Sequence, residues 1–361
     1  MLNVLLIANN GENYGIASRI KREGHIVKFY STEELTPSSS KEVTILSKWE
    51  SGIQAADLVL LLSPGFGRVL QFMDDGRRIF GCGALEDVLL KNPELAMNFL
   101  NLATTGEVQE GFGVTVGGWF SNQEFRLTYY VVHSRYLMER DKGPEVVGMG
   151  CVVVPALKED PLVKETLEKL KGVLGSMNFC GQIELDVLIN EKNIMTMNVT
   201  SKFRNGVLQV LCENWSKTFA NTLYQLPQEE LELRTPYAMS LGLSQPPWPY
   251  HVPEVNYNCK LEMIEPAVKH TWCSRDKNFL GYITSRGITY SEVRRRVFRT
   301  VNNIVKDSTI QYRVDIGNGV DVLMKQLEEW KFIKGGSENA ITEGFVTESN
   351  KLEHKGDNAL V

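Results

Sequence analysis

The chain has 361 residues, of which 43% are hydrophobic and 23% charged, and its formal net charge is -5. These values are ordinary for a globular protein, so a fibrous or wholly disordered chain is excluded. At roughly 100–200 residues per domain, the length leaves room for two or three domains. No apolar run reaches the roughly 18 residues that a membrane-spanning helix needs, so we expect no membrane partner.

The acidic balance argues against a dedicated nucleic-acid surface, which normally carries an excess of Lys and Arg. The best candidate for a local basic stripe is SEVRRRVFR (291–299). A solvated helix face explains this stretch more simply.

Six cysteines are spread along the chain, and no two are close enough to form a CxxC pair: Cys82, Cys151, Cys180, Cys212, Cys259 and Cys273. The spacing argues against a zinc site and against a thiol nucleophile. We expect free buried thiols, as is usual in the reducing cytoplasm.

The first segment predicts an open parallel sheet. The apolar run NVLLIA (3–8) indicates a first strand rather than a signal peptide, and a polar loop, a helical pattern and an alternating strand follow it. Further strands are predicted at 56–63 and 77–83, before a helical stretch that Pro93 interrupts. We therefore predict an α/β domain over residues 1–105.

The middle of the chain, residues 106–230, predicts an α+β domain. Its expected elements are strands at 113–120 and 125–134, a glycine-punctuated loop leading into a strand over 143–155, a helix at 160–177, a hairpin at 181–199 and a helix at 207–226.

Residues 231–333 predict a small C-terminal α+β domain. A proline-rich extended loop (245–253) precedes strands at 260–270 and 278–287 and a helix at 290–305, with Ser291 as a plausible N-cap. The last residues, 334–361, are polar with little periodicity, and we predict a flexible tail.

The order of these segments resembles phosphoribosylamine–glycine ligase, an enzyme of the ATP-grasp superfamily. Five stretches carry the resemblance: NVLLIANNGENYGIASRI, RRIFGCGALED, DKGPEVVGMGCVVVP (141–155), GQIELDVLIN with MTMN after it, and GYITSRGITYSEVRRRVFRTVNNI with QYRVDIG (311–317). The resemblance implies a pre-ATP-grasp-like parallel sheet, an ATP-grasp core and a C-terminal α+β domain. It also implies ATP and magnesium as cofactors.

The sequence departs from this family where the nucleotide lid should be. In the family, a subdomain that supplies phosphate-binding lysines lies between the helix after the "KIFGP" strand and the "EEFL" strand. Here that helix is expected to end near Leu102, and the counterpart strand begins at Val114. About a dozen residues cannot form a multi-stranded subdomain, so only a partial ATP-grasp core is expected. No "GKGV"-type flap is present either.

Two carboxylate positions also differ. The resemblance places Gly117 and Gly118 at the family's "EE", and Thr196-Met197-Asn198 at its metal-binding "EFN". Asn198 is retained as a possible metal ligand, and Glu184 or Asp186 on the preceding strand could supply the missing carboxylate, because magnesium prefers oxygen ligands. The alternative for these two carboxylates is a solvent-facing position on an alternating strand.

Two loops are candidates for binding a substrate. In the first, Asn10, Gly11 and Asn13 lie between a strand and a helix, where backbone N–H groups favour anions. Glu12 stands in place of the family's arginine and should repel a phosphate. A plain tight turn is the alternative.

The second candidate is the glycine-rich stretch, where Gly143, Gly148 and Gly150 would allow a ligand to approach the backbone. Asp141 keeps the family's acidic position, and Arg135 could supply a cation near the same surface. A glycine-bent connector is an equal alternative, and His133 nearby fits a structural role.

Because several charge-neutralising groups are missing, we expect no ordinary ATP-dependent ligation by this chain alone. The favoured expectation is a binding, scaffold or regulatory protein, with a small nucleotide or phosphoribosyl ligand and a protein partner or second copy covering the exposed cleft. The alternative is an active carboxylate–amine ligase acting on glycine and phosphoribosylamine or a related nucleotide, with the missing part supplied by a partner chain.

Overall fold

The computed structural model describes residues 1–36, 43–75, 78–81, 83–215, 218–225, 233–250, 270–276, 278–306 and 308–334. Cys82, Cys259, nearly all of the strand predicted at 260–270 and nearly all of the predicted tail lie outside these residues. Within them the chain forms two sheets, one of five strands and one of eight.

The first sheet is parallel, as predicted. Its strands are β1 (Asn3–Ala8), β2 (Ile26–Ser31), β3 (Thr44–Leu46), β4 (Leu58–Leu61) and β5 (Arg78–Gly81), in the order β3-β2-β1-β4-β5. The connections carry α1 (Tyr14–Arg22), α2 (Glu50–Ile53) and a 3-10 helix (Gly67–Asp75), and α3 (Gly83–Lys91) and α4 (Pro93–Leu102) follow β5. The central strand β1 is buried along nearly its whole length, as is usual for a parallel sheet covered on both faces.

The second sheet is antiparallel and contains every later strand of the described chain. These strands are β6 (Phe112–Ser121), β7 (Glu124–Met138), β8 (Lys142–Pro155), β9 (Gly181–Ile189), β10 (Ile194–Thr200), β11 (Tyr237–Ser244), β12 (Thr271–Cys273) and β13 (Phe279–Gly287), in the order β10-β9-β6-β7-β8-β11-β13-β12. Segments 106–230 and 231–333 therefore contribute to one sheet. The boundaries at 105 and 230 stay a prediction.

The helices after β8 are α5 (Pro161–Glu165), α6 (Leu167–Ser176), α7 (Val207–Asn214), α8 (Phe219–Gln225), α9 (Tyr290–Ile304) and α10 (Val320–Glu329). Two of the predicted helices are thus interrupted. The helix expected at 160–177 breaks at Thr166, whose hydroxyl donates to the carbonyl of Leu162. The helix expected at 207–226 ends before Trp215, which turns into an extended conformation and bridges to Leu233.

Two further expectations were wrong in detail. The glycine-punctuated loop at 143–150 is part of β8 and hydrogen-bonds to β7. Helix α9 is capped by Thr289 and not by Ser291, because the Thr289 hydroxyl accepts a hydrogen bond from the backbone N–H of Glu292.

An aromatic core joins the two sheets. The ring of Phe80 on β5 lies 4.6 Å from Trp119 on β6, measured between centroids, and Trp119 also contacts Phe203 and Trp215. The four rings are almost completely buried. The sheets are therefore held together by apolar packing as well as by the chain.

None of the described helices is long and apolar enough to cross a membrane. Among the described cysteines, Cys151, Cys212 and Cys273 are buried, as the sequence predicts for structural thiols.

Candidate functional site

Polar and charged side chains gather on one face of the second sheet. We call this group the central polar cluster; its members are Thr115, Tyr129, His133, Arg135, Gln182, Glu184, Asp186, Asn198 and Arg204. Thr115 on β6 pairs with Asp186 on β9, and Gly117 on β6 pairs with both Glu184 and Tyr129. Because alternate residues of a strand face the same side, these register positions bring the side chains together.

Arg204 lies at the centre of the cluster. Its Nη1 and Nη2 donate to the two carboxylate oxygens of Asp186, each at 2.6 Å. Nη1 also lies 3.2 Å from Nε2 of His133, and Nε lies 3.2 Å from Oε2 of Glu184. A bidentate guanidinium–carboxylate pair of this kind is among the strongest polar contacts in proteins.

Asp186 is held by further donors. Arg135 approaches Oδ1 to 2.6 Å, and the hydroxyl of Thr115 donates to the same oxygen at 2.6 Å. Burial disfavours the ionised form of Asp186, but the hydrogen bonds and charge of Arg204, with the bond from Arg135, outweigh burial and hold its pKa well below the usual range. Asp186 is therefore a carboxylate at neutral pH.

Glu184 is completely buried, so the solvent-facing alternative for this residue was wrong. Its Oε1 accepts hydrogen bonds from Tyr129 at 3.1 Å and from Gln182 at 2.7 Å. Burial raises the pKa of Glu184 to about 7, and the charge of Arg204 only partly opposes that rise. Asp186 is also buried, and the alternative fails for it too.

His133 is neutral in this setting. Burial lowers its pKa well below the ordinary value, and the charges of Arg204 and Arg135 lower it further. The neutral ring can accept the hydrogen bond that Arg204 offers. This arrangement agrees with the structural role that the sequence favoured for His133.

The two predicted metal ligands are not paired in the β9–β10 register, where Asn198 lies opposite Asp186 and Glu184 lies opposite Thr200. The Asn198 amide donates to Asp186 Oδ2 at 3.1 Å, and both oxygens of that carboxylate already accept from Arg204. A magnesium ion bound by Glu184 and Asn198 would have to displace this guanidinium, because the cation repels it and competes for the same oxygens. As it stands, the donor set fits an internal arginine and does not fit a divalent cation.

The glycines at the family's "EE" position make room for aromatic rings. A Cβ on Gly117 would collide with the ring of Tyr129, and a Cβ on Gly118 would lie 2.6 Å from Phe125. A glutamate at either position would therefore displace a buried ring. Tyr129 can contact Glu184 only because position 117 carries no side chain.

Residues 201–206, between β10 and α7, belong to the site, and the sequence did not predict this. The ends of this segment are fixed by Glu86, which accepts from the Ser201 N–H at 2.8 Å, and by Gln209, which accepts from the Gly206 N–H at 2.7 Å. Between them, Arg204 enters the central polar cluster and the Asn205 amide donates to Glu12. Arg204 lies in an irregular segment, where no periodic pattern in the sequence indicates which residues a side chain contacts.

The first predicted binding loop is filled by the chain itself. Gly11 packs against the backbone of Arg275, where a Cβ would lie 2.5 Å from the Arg275 carbonyl carbon. The Asn13 side chain accepts from Gln209 at 3.1 Å, and Asn10 accepts from the N–H of Glu12 at 3.3 Å. Of the three predicted residues, only Asn10 keeps partial exposure.

Glu12 is buried and does not face an incoming ligand. Burial raises its pKa, with help from the charge of Asp276, while Lys202 and the Asn205 bond partly oppose the rise. The hydrogen bond from Asn205 to Glu12 thus connects the first loop to residues 201–206.

The residues predicted around the glycine-rich stretch separate into different places. Arg135 joins the central polar cluster, whereas Asp141 pairs with Arg313 at 3.0 Å near the C-terminal part of the fold. The two residues therefore do not share one surface.

The three glycines of that stretch also separate. Gly150, at a φ of 147°, is required because a Cβ would collide with the Ser240 carbonyl on β11. Gly143 is exposed and close to Met138, while Gly148 is buried with its carbonyl bonded to Tyr282. Of the three glycines, only Gly148 lies near residues 201–206. A Cβ on Gly148 would lie 4.0 Å from the carbonyl oxygen of Asn205.

Solved structures with a similar fold include phosphoribosylamine–glycine ligase from Thermotoga maritima, with a TM-score of 0.60 at 13% identity over 87% of this chain and 100% of that chain. Phosphoribosylglycinamide synthetase from Anaerococcus prevotii has a TM-score of 0.54 at 9% identity over 86% and 99% of the two chains. A biotin carboxylase complex with an ATP compound from Campylobacter jejuni also gives 0.54, at 10% identity over 86% and 93%. The fold is therefore similar to that of these solved ligase and carboxylase structures, as the sequence motifs predicted.

No protein-family model matches the sequence, and comparison with curated protein sequences finds no significant match.

Proposed function

We propose that this chain is a diverged relative of the phosphoribosylamine–glycine ligases that acts as a binding, scaffold or regulatory protein and does not carry out ordinary ATP-dependent ligation. The observation that carries the proposal is the bidentate contact of Arg204 with Asp186. A positive side chain occupies the place where carboxylates would otherwise hold a catalytic cation.

The charge balance of the cluster supports the proposal. Arg135 and Arg204 both pair with Asp186, and Arg204 also contacts Glu184, so the site has no excess negative charge to attract magnesium. An ATP-dependent ligase needs such a cation to neutralise the phosphates as charge moves between them.

The connection between α4 and β6 supports it as well. Residues 103–111 contain neither a helix nor a strand. This connection is too short for a lysine-bearing α+β subdomain at that point of the chain. Removing donors that neutralise developing charge typically costs two to three orders of magnitude in rate for each donor.

The proposal is tested by incubating the purified chain with ATP, magnesium, glycine and phosphoribosylamine and measuring ADP and phosphate. We expect no release above background, also with a panel of other amines and carboxylates. The matched control is Asp186→Asn, which removes the carboxylate that any cation-dependent mechanism here would use. Turnover by the natural chain that the Asp186→Asn variant loses would contradict the proposal and favour the active ligase.

Binding of ATP is tested separately by thermal unfolding. A ligand of the native state must raise its melting temperature by mass action. We expect no shift at millimolar ATP with magnesium, and a shift of several degrees would contradict the proposal. A phosphoribosyl compound provides a second arm, because Asn10 in the first loop keeps partial exposure.

The proposed partner or second copy is tested by sedimentation. If a partner or second copy covers the exposed cleft that the sequence leads us to expect, the chain should sediment as a complex or an oligomer at micromolar concentration. A monomer alone and in the lysate of its natural host would count against this part of the proposal. A complex that gains ligase activity would instead favour the partner-dependent enzyme.

A further inference from the structure

A second charged region lies away from the central polar cluster, at the end of the large sheet where β11 begins and β13 ends. We call it the basic end surface; its members are Arg234, Arg286, Ile288, Arg295, Arg296 and Arg299. It includes Arg295 and Arg296 of the RRR motif, which the proposed function leaves unused.

The geometry of this surface follows from the sheet register. Tyr237 pairs with Gly287, so the residue before β11 and the end of β13 are neighbours. Helix α9 starts directly after that point, and Arg296 on its second turn donates to the carbonyl of Arg286 at 2.7 Å. Arg234 and Arg296 both lie close enough to Arg286 to lower its pKa, after the larger effect of burial.

Among the described residues, the positive charges outnumber the negative charges beside them. Glu213 is buried and lies 3.8 Å from Arg286 and 2.9 Å from His270, and Glu292 pairs with Arg296 at 2.5 Å. Without Arg234, four arginines of the described surface thus face two glutamates, on a chain whose net charge is -5. The excess is local and runs against the overall charge.

Two of the arginines have exposed and unused head groups. Arg295 and Arg299 lie one turn apart on the solvent face of α9. Neither has a hydrogen-bond or ion-pair partner within the described part of the chain, whereas Arg294 donates to the carbonyl of Val314 and packs over Phe298. Their charges are available to a ligand.

An apolar side chain lies in the same region. Ile288, in the turn between β13 and α9, is 71% exposed, which makes it one of the most exposed large apolar residues of the described chain. An isolated exposed apolar residue is common, but here it stands between Arg286 and the arginines of α9.

We propose that the basic end surface binds an acidic peptide segment of a partner protein, with an apolar side chain of that segment packed against Ile288. Charge complementarity supplies attraction and orientation, and the apolar contact supplies a fixed point. A nucleic acid fits less well because none of the six residues that define the surface has an aromatic ring on which a base could stack.

This inference does not rest on the central polar cluster. Arg295 and Arg299 take no part in that cluster, so their replacement leaves its contacts intact. A chain that proved to be an active ligase could still bind a peptide here, and the two proposals can fail independently.

The probe is a fluorescein-labelled peptide of four Glu-Glu-Leu repeats, and a matched peptide has Gln in place of Glu. Fluorescence anisotropy with the full chain at low salt should show binding of the acidic peptide and at least tenfold weaker binding of the Gln peptide. Added salt should weaken the acidic complex, because exposed charges are screened. Equal binding of both peptides, or no binding of either, would overturn the proposal.

The charge reversal Arg295→Glu with Arg299→Glu should weaken peptide binding at least tenfold, and Ile288→Ser should weaken it several-fold. The matched control is Lys325→Glu on α10, an exposed charge elsewhere, which should leave binding unchanged. Each variant must keep the far-UV circular dichroism and melting temperature of the natural chain, as expected for exposed positions. An equal loss with Lys325→Glu would show a nonspecific effect of net charge and overturn the assignment.

Two other occupants are distinguished in the same assay. A labelled single-stranded RNA that binds more tightly than the peptide, and loses binding in the Arg295/Arg299 variant, would replace the peptide by a nucleic acid. Glu338, Glu343 and Glu348 of the chain itself can be changed together to Gln in the full chain. Tighter probe binding by that variant would show that the chain's own acidic residues compete for the surface, and would overturn the assignment to a partner.

Discussion

Arg204 determines the chemistry of the candidate site at the scale of single residues. Without it, Glu184 and Asp186 would be two buried carboxylates on neighbouring positions of one strand face. With it, Asp186 is held ionised, whereas burial dominates at Glu184 and raises its pKa to about 7. One guanidinium stabilises both side chains, and Arg135 and Thr115 add further donors to Asp186.

The raised pKa of Glu184 makes stability depend on pH. The ordinary pKa of this group is 4.5, and the folded value is about 7. The folded state therefore binds more protons between these values, and the contribution of Glu184 to stability is lost as the pH rises through this range.

Glu184→Gln keeps the shape of the neutral acid and cannot ionise. The free energy of unfolding of this variant, relative to the natural chain, should increase by about 1–3 kcal/mol from pH 5 to pH 8. Urea unfolding at the two pH values measures this difference. The raised pKa of Glu12 affects both proteins equally, so its effect on stability cancels in the comparison. Glu165→Gln, at a half-exposed position on α5, is the control and should show no such trend. Parallel pH curves for Glu184→Gln and the natural chain would contradict the assignment.

At the scale of elements, strand β6 shows how an aromatic ring leaves no room for a carboxylate at position 117. Gly117 lies on the face that carries Tyr129 and Glu184, and Tyr129 occupies the space that a larger residue at 117 would need. The strand could be predicted from its alternating apolar residues. The role of its glycines could not, because a sequence does not tell which ring lies across the strand.

Gly117→Ala should therefore destabilise the chain, by about 2–4 kcal/mol, since the new methyl group overlaps the buried Tyr129 ring and overpacking is costly. Gly113→Ala is a matched control on the same strand, where an added Cβ meets nothing within 4 Å. It should be neutral or slightly stabilising, because alanine reduces the freedom of the unfolded chain. Chemical unfolding of both variants measures the difference, and equal effects would show that Tyr129 yields without cost.

At the scale of the whole molecule, the aromatic core couples the unfolding of the two sheets. Its rings are those of Phe80, Trp119, Phe203 and Trp215. It connects the parallel sheet to the antiparallel sheet, so neither sheet can separate without exposing these rings. The segmentation predicted from the sequence describes the order of the chain. It does not imply that the segments unfold independently.

Trp119→Ala should lower the free energy of unfolding by about 3–5 kcal/mol, as large buried aromatic residues do when truncated. Both sheets should respond, so circular dichroism and tryptophan fluorescence should report one transition at a common, lowered midpoint. Phe112→Ala, at an exposed ring that contacts Trp330, is the control and should cost much less. Two separate transitions in the natural chain would contradict the coupling.

The sequence by itself determined the β–α–β opening, the parallel sheet, the β9–β10 hairpin and the resemblance to the ATP-grasp ligases. These follow from local periodicity and from motifs that are contiguous in the chain. The tertiary structure alone decided that Arg204 joins Glu184 and Asp186, that Glu12 turns inward to Asn205, and that Arg135 and Asp141 lie apart. Such contacts join residues from separate segments, and their energies depend on burial and on the geometry of the donors, which a linear pattern does not contain.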